Sequence, residues 1–188
     1  MWLKNWPQRY NRVFGKTSND VYSVCDKKIV KGCDVEQVLL PQTSIEKYLT
    51  AITALNVPDD DMETGDWHIS TTFNPGFGRT PSFSVSNEYV DTNHIFGTDS
   101  ILERSDILRR FGVNVGSGLV YSANHYRAIA DMVFKSLSLN RPFEDAIILD
   151  DWLPMDEHKQ RFFNLFENAK PYLSGEQWNR YLSWKNNS

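Results

Sequence analysis

A single α+β domain with a helical C-terminal third is the fold that this sequence predicts. Two observations indicate it. Short segments within residues 67–90 alternate apolar and polar side chains, as strands with one buried face do, and the pattern of residues 21–35 is also typical of strands. Beyond residue 100, apolar residues recur at the i, i+3, i+4 and i+7 spacing of amphipathic helices. A chain of 188 residues fits one domain, so we expect residues 1–188 to fold together.

A small antiparallel sheet is expected to form in the first half of the chain. Residues 21–25 and 29–30 flank a polar turn and predict a hairpin. Residues 67–73 and 82–86 predict two further strands, each with apolar side chains on one face and hydroxyl side chains on the other. The sequence therefore predicts a sheet with a polar face in its central part.

Helices are expected to cover one side of this sheet. A serine or threonine followed three residues later by Glu or Gln marks a helix start at Thr43, Ser100 and Ser174. Gly112 is predicted to end the helix that starts at Ser100, because glycine favours the position just after a helix. The predicted helices span residues 44–56, 100–111, 122–139, 156–173 and 175–185.

Composition limits the class of partner. The formal net charge is −4, whereas nucleic-acid-binding proteins usually carry a basic surface, so no nucleic-acid partner is expected. The closely spaced Arg104, Arg109 and Arg110 leave a local basic patch as the alternative. No apolar run approaches the roughly 20 residues of a membrane-spanning helix. With no secretory leader and only two cysteines, the sequence predicts a cytoplasmic protein without a membrane partner.

The loop between the two central strands gathers the residue types of a binding site. His68 and Ser70 lie on the predicted hydroxyl face, where His68 would act as a general base and Ser70 as its catalytic neighbour. Arg79 would hold an anionic group of a small molecule. The predicted ligand-binding residues are Thr72, Phe77, Arg79 and Ser84.

No complete catalytic or metal-binding motif accompanies these residues. His68-Ile69-Ser70 resembles one copy of the His-x-Ser/Thr pattern that 2H phosphoesterases use twice, but a second copy is absent. Asp66, His68, Asp91 and His94 are the candidate metal ligands, yet their spacing matches no informative metal motif. The sequence therefore predicts no metal and no cofactor.

Aromatic residues favour an interaction function. They make up 13% of the chain, and Trp178, Tyr181 and Trp184 are spaced to share one face of the last predicted helix. Exposed aromatic clusters commonly mark protein interfaces. We therefore expect a soluble interaction or regulatory protein that binds a protein partner or a second copy of itself. The alternative is a small ligand-binding or hydrolase-like domain that uses the face around His68 and Arg79.

Overall fold

The computed structural model describes some segments of the chain with their side chains and others as backbone only. Residues 39–59, 72–73 and 82–188 are described with their side chains, and Tyr22–Cys25 and Lys28–Lys31 as backbone. The chain divides into two compact units. The first comprises residues 1–37 with 76–78, and the second residues 38–75 with 79–188.

An antiparallel hairpin belongs to the first unit. Strand β1 is Tyr22–Cys25 and strand β2 is Lys28–Lys31, with Tyr22 opposite Lys31 and Cys25 opposite Lys28. The hairpin predicted at residues 21–25 and 29–30 is thus confirmed, with the second strand beginning one residue earlier. Apolar residues that favour strands, placed on both sides of a short polar turn, are sufficient to indicate such a hairpin.

The second unit is built mainly of helices and contains a second strand pair. In chain order its elements with described bounds are α1 (Ala51–Leu55), α2 (Ser86–Tyr89), α3 (Asn93–Phe96), β3 (Ile101–Glu103), α4 (Ser105–Arg110), β4 (Tyr121–Ala123), α5 (His125–Ser138), α6 (Leu149–Trp152), α7 (Asp156–Phe166), a 3₁₀ helix (Glu167–Tyr172) and α8 (Gly175–Lys185). β3 and β4 pair antiparallel. Strand pairs and separate helices together confirm the α+β class.

An extended stretch around Leu49 links the strand pair to the rest of the unit. The Leu49 amide donates to the Tyr121 carbonyl at 2.9 Å, and its carbonyl accepts from the Ala123 amide at 2.9 Å. On the other side, the Ser86 amide donates to the Tyr48 carbonyl at 2.9 Å. Leu49 thereby bridges Ser122 in parallel and Val85 in antiparallel orientation.

This pairing corrects two sequence predictions at once. Residues 82–86 are not a strand, because Val85 makes a single bridge and Ser86 already begins α2. Of the helix predicted at residues 44–56, only α1 forms, because the stretch around Leu49 makes strand-like hydrogen bonds instead. Thr72 and Phe73 are helical, while residues 67–71 lie outside the described residues.

The boundary of the second predicted helix changes for a related reason. Residues at the start of 100–111 form β3, and the helix starts only at Ser105, whose amide donates to the Glu103 carboxylate at 2.7 Å. Gly112 follows the helix with a φ of 77°, a left-handed conformation that glycine tolerates and other residues resist. The predicted stop is therefore confirmed, and the predicted Ser100 cap is wrong.

The C-terminal third follows the prediction more closely. The helix predicted at residues 122–139 is α5, shortened at its start by β4. The helix predicted at 156–173 is α7 followed by the 3₁₀ helix, which contains Pro171. Helix α8 has the predicted bounds, and both hydrogen bonds of its capping box are formed between Ser174 and Gln177.

Candidate functional site

The three aromatic residues predicted to form an interface belong to the core. Trp178, Tyr181 and Trp184 are only 9%, 0% and 5% exposed. The Tyr181 ring lies 4.4 Å from that of Phe166 and 4.8 Å from that of Trp178, measured between centroids. Packing these rings against α7 removes their apolar surface from water, and the free energy gained in this way favours their burial. This finding corrects the expectation of an exposed aromatic face on α8.

The most polar part of the interior is a closed network around Arg127 and Asp131. Both side chains are 0% exposed, and Arg127 Nε donates to Asp131 Oδ1 at 3.0 Å. Asp131 Oδ2 accepts from the Tyr48 hydroxyl at 3.0 Å and from Thr50 Oγ1 at 2.6 Å. All of these partners are internal, so the network satisfies buried charges and holds α5 against the extended stretch before α1. The only sequence signal for it is the i, i+4 spacing of Arg127 and Asp131 on one helix.

The candidate site around His68 is described only in part. His68, Ser70, Phe77 and Arg79 lie outside the described residues. Thr72 and Ser84 are both half-buried. Ser84 uses its backbone for pairing: its amide donates to Thr53 Oγ1 at 2.9 Å and its carbonyl accepts from Thr50. The ligand-binding role of these residues stays a prediction.

The other charged candidates have local roles. Asp91 Oδ1 accepts from the Asn93 amide at 3.3 Å, and the exposed His94 ring packs edge-on against Tyr172 with centroids 5.3 Å apart. Arg104 is 6% exposed and donates to Asp59 at 2.6 Å, so it cannot extend a surface patch with Arg109. Within residues 39–59, 72–73 and 82–188, no three His, Cys, Asp or Glu side chains are placed to hold a metal ion.

A groove lies at the C-terminal end of the second unit. Its cavity volume is about 390 Å³. One wall is the segment before and into α6, and the other is the last two turns of α8 with the residues that follow. The lining residues are Glu144, Asp145, Ile147, Ile148, Leu149, Asp150, Arg180, Ser183, Trp184, Asn187 and Ser188.

Alternating burial determines how the first wall presents its side chains. Ile147 and Leu149 are 2% and 1% exposed, while Ile148 between them is 51% exposed. Ile147 ends a turn closed by the hydrogen bond that its amide donates to the Phe143 carbonyl, Ile148 has extended backbone, and Leu149 begins α6. With Ile147 and Leu149 anchored in the core, the Ile148 side chain lies outward. Trp184 Nε1 donates to the Ile147 carbonyl at 3.2 Å and joins this wall to α8. The short apolar run at residues 146–149 is therefore a packed linker.

An ion pair joins the two walls of the groove. Arg180 donates through Nε to Glu144 Oε1 and through Nη2 to Oε2 at 2.7 Å. Its Nη2 also donates to the Arg141 carbonyl at 2.9 Å. The hydrogen bonds from Arg180 lower the pKa of Glu144 to about 2, with a smaller contribution from the Phe143 amide. Glu144 is therefore ionised at neutral pH, and its charge is matched by Arg180.

The remaining charges give the groove a negative character. Asp150 pairs with Lys159, which lies outside the groove lining. Asp145 is exposed, and none of the described basic side chains forms an ion pair with it. The C-terminal turn of α8 also faces the groove, and a helix C-terminus carries a partial negative charge. Glu144 and Asp150 are each matched by a basic partner, so Asp145 and the end of α8 are the unmatched negative groups of the groove, and Asp145 is the group suited to hold a cation.

Comparison of the chain with protein-family models, with curated protein sequences and with solved structures gives no significant match. Function must therefore be inferred from the groove and its surroundings. Among the described helices, none combines the length and apolar character needed to cross a membrane.

Proposed function

We propose that the protein is a non-catalytic interaction module that binds a cationic segment of a partner protein in the groove between residues 144–150 and α8. The observation that supports this proposal is the exposed carboxylate of Asp145, which lines a concave surface and has no ion-pair partner among the described residues. The interaction function expected from the aromatic content is thereby retained, while its location moves from the buried rings of α8 to the groove.

The composition of the groove favours a peptide segment over an enclosed small molecule. Small-molecule sites are mostly apolar and bury most of their ligand. Here the lining mixes exposed carboxylates, an amide and two hydroxyl groups with one exposed isoleucine. A volume of about 390 Å³ accommodates one or two side chains of a bound segment. Recognition by charge and by a side chain or two is typical of short-motif binding.

The fixed ion pair strengthens this interpretation. Arg180 donates two hydrogen bonds to Glu144, and these hold the groove wall in place in the unbound protein. A preorganised wall lowers the entropic cost of binding. Asp145, in contrast, has an exposed carboxylate that an incoming lysine or arginine can reach without displacing an internal partner. We therefore assign the charge recognition to Asp145.

Binding of defined peptides tests the proposal. Three fluorescein-labelled twelve-residue peptides alternate leucine with lysine, serine or glutamate, and fluorescence anisotropy measures their affinity for the full chain at low and at physiological salt. We expect the lysine peptide to bind most tightly and its affinity to fall with salt, because opposite charges attract and ions screen them. We expect Asp145→Lys to weaken that binding about tenfold or more, in line with charge reversal at an interface.

Asp99→Lys is the matched control. Asp99 is exposed and lies outside the groove lining, and the substitution changes the net charge by the same amount. We expect this variant to bind the lysine peptide nearly as the unmodified protein does. Equal loss in D99K and D145K would show attraction by overall charge and overturn the groove assignment. Equal affinity for the three peptides would overturn the proposal itself.

A further inference from the structure

We infer that the groove recognises a two-part motif in which an apolar side chain packs on Ile148 beside the cationic side chain held by Asp145. This inference rests on the proposed function and specifies the partner more closely. Ile148 is 51% exposed within the groove lining, three residues from Asp145 along the same wall.

The exposure of Ile148 results from the way its neighbours are held. Ile147 and Leu149 are buried on either side, and the Ile147 carbonyl is occupied by Trp184 Nε1. The Leu153 amide donates to the Leu149 carbonyl at 2.6 Å and fixes the start of α6. Ile148 therefore cannot turn inward without breaking these contacts, and its apolar surface stays available in the groove.

A single exposed apolar side chain is common on protein surfaces and by itself indicates nothing. Ile148 differs because it lines a cavity together with the unmatched carboxylate of Asp145 and the helix end of α8. A partner that offered only a lysine would leave this surface in contact with water. A partner that offered an apolar residue next to the lysine would remove it from water and gain affinity.

The charge of the groove indicates which kind of partner can bind to the exposed surface of Ile148. A second copy of the chain carries the same net charge of −4, which disfavours its approach to an acidic site. An acidic or neutral apolar peptide would lack the group that Asp145 attracts. A basic segment with an adjacent apolar residue satisfies both features at once, because it places opposite charge on the carboxylate and apolar surface on Ile148.

A double-mutant cycle with peptides tests the two-part motif. The unmodified protein and Ile148→Ser are compared for binding to the alternating lysine–leucine peptide and to a lysine–serine peptide of the same length. We expect I148S to weaken lysine–leucine binding about fivefold to tenfold, because serine cannot replace the apolar packing of Ile148 on leucine. We expect it to leave lysine–serine binding within twofold, because that peptide has no apolar group for Ile148 to contact.

Ile45→Ser provides the matched control, since Ile45 is 39% exposed and does not line the groove. We expect I45S to bind both peptides as the unmodified protein does, and circular dichroism establishes that both variants are folded. Equal binding of lysine–leucine by I148S and the unmodified protein would overturn the two-part motif. The proposed function would then still stand if D145K weakened binding, and it would fall together with the motif if D145K had no effect.

Discussion

Two buried tyrosines have hydroxyl groups in contrasting surroundings, from which we expect opposite contributions to stability. The Tyr48 hydroxyl accepts from Arg127 Nη2 at 2.6 Å and donates to Asp131 Oδ2 at 3.0 Å. The Tyr181 hydroxyl is equally buried, but no partner for it is found within the described part of the chain. Burial raises the pKa of both phenols, so both are neutral at physiological pH.

Replacing each tyrosine by phenylalanine separates the two cases. We expect Tyr48→Phe to lower the free energy of unfolding by about 1–3 kcal/mol, because it leaves buried charged groups with one partner fewer. We expect Tyr181→Phe to leave that free energy unchanged or raise it by up to about 1 kcal/mol, because it removes an unsatisfied polar atom and keeps the ring. Urea denaturation followed by circular dichroism measures both values. A loss in Y181F as large as that in Y48F would show that the Tyr181 hydroxyl has a partner.

At the scale of single elements, the sequence predicts a helix end correctly where residues close in sequence determine that end. Helix α8 has the bounds that the sequence predicts because the Ser174 and Gln177 capping box is formed by residues three apart. The end of α4 is predictable from Gly112 for the same reason. The helix predicted at residues 44–56 forms only over Ala51–Leu55, because the hydrogen bonds of Leu49 are made with Tyr121 and Ala123, far away in sequence. Helical periodicity does not reveal such long-range pairing.

The capping box of α8 leads to a quantitative prediction. Ser174 Oγ accepts from the Gln177 amide at 3.2 Å, and the Ser174 amide donates to Gln177 Oε1 at 2.8 Å. We expect Ser174→Ala to lower the free energy of unfolding by about 1 kcal/mol, since an unpaired amide is left at the helix start. Thermal or urea denaturation measures the loss.

Ser183→Ala, on the exposed side of the same helix, serves as the comparison. We expect its effect to stay within about 0.5 kcal/mol, because surface substitutions away from special contacts change stability little. If S174A were as stable as S183A, the cap would add nothing to the fold.

At the scale of the whole molecule, the groove depends on tertiary packing that the sequence alone does not show. The acidic residues near 144–151 are visible in the sequence as a cluster, but the position of the last turns of α8 opposite them is not. That arrangement follows from the aromatic core, in which the Trp184 ring contacts Phe143 and Phe162 with centroids 5.3 and 5.9 Å apart. Sequence reasoning assigns Trp184 to an exposed face, because spacing on a helix does not tell which side is covered.

Two hydrophobic clusters of the second unit meet at consecutive residues. Tyr48 belongs to the larger cluster, with Phe166 and the C-terminal aromatic residues, and Leu49 belongs to the smaller one, with Leu108. The backbone of Leu49 forms hydrogen bonds with β4, and the carbonyl of Tyr48 accepts from the amide of Ser86 at the start of α2. A shared stretch of this kind couples the stability of the two clusters, because neither can open without disturbing it.

The coupling predicts one unfolding transition for the second unit. We expect Phe166→Ala and Leu108→Ala, each removing a fully buried side chain, to lower the free energy of unfolding by about 3–5 and 2–5 kcal/mol. Hydrogen exchange with mass spectrometry then compares peptides from residues 39–59 and 82–123 with peptides from 125–188. We expect each variant to lose protection in all three regions to a similar extent, because the clusters share one cooperative transition. Loss confined to residues 125–188 in F166A, with protection kept elsewhere, would show that the two clusters unfold independently.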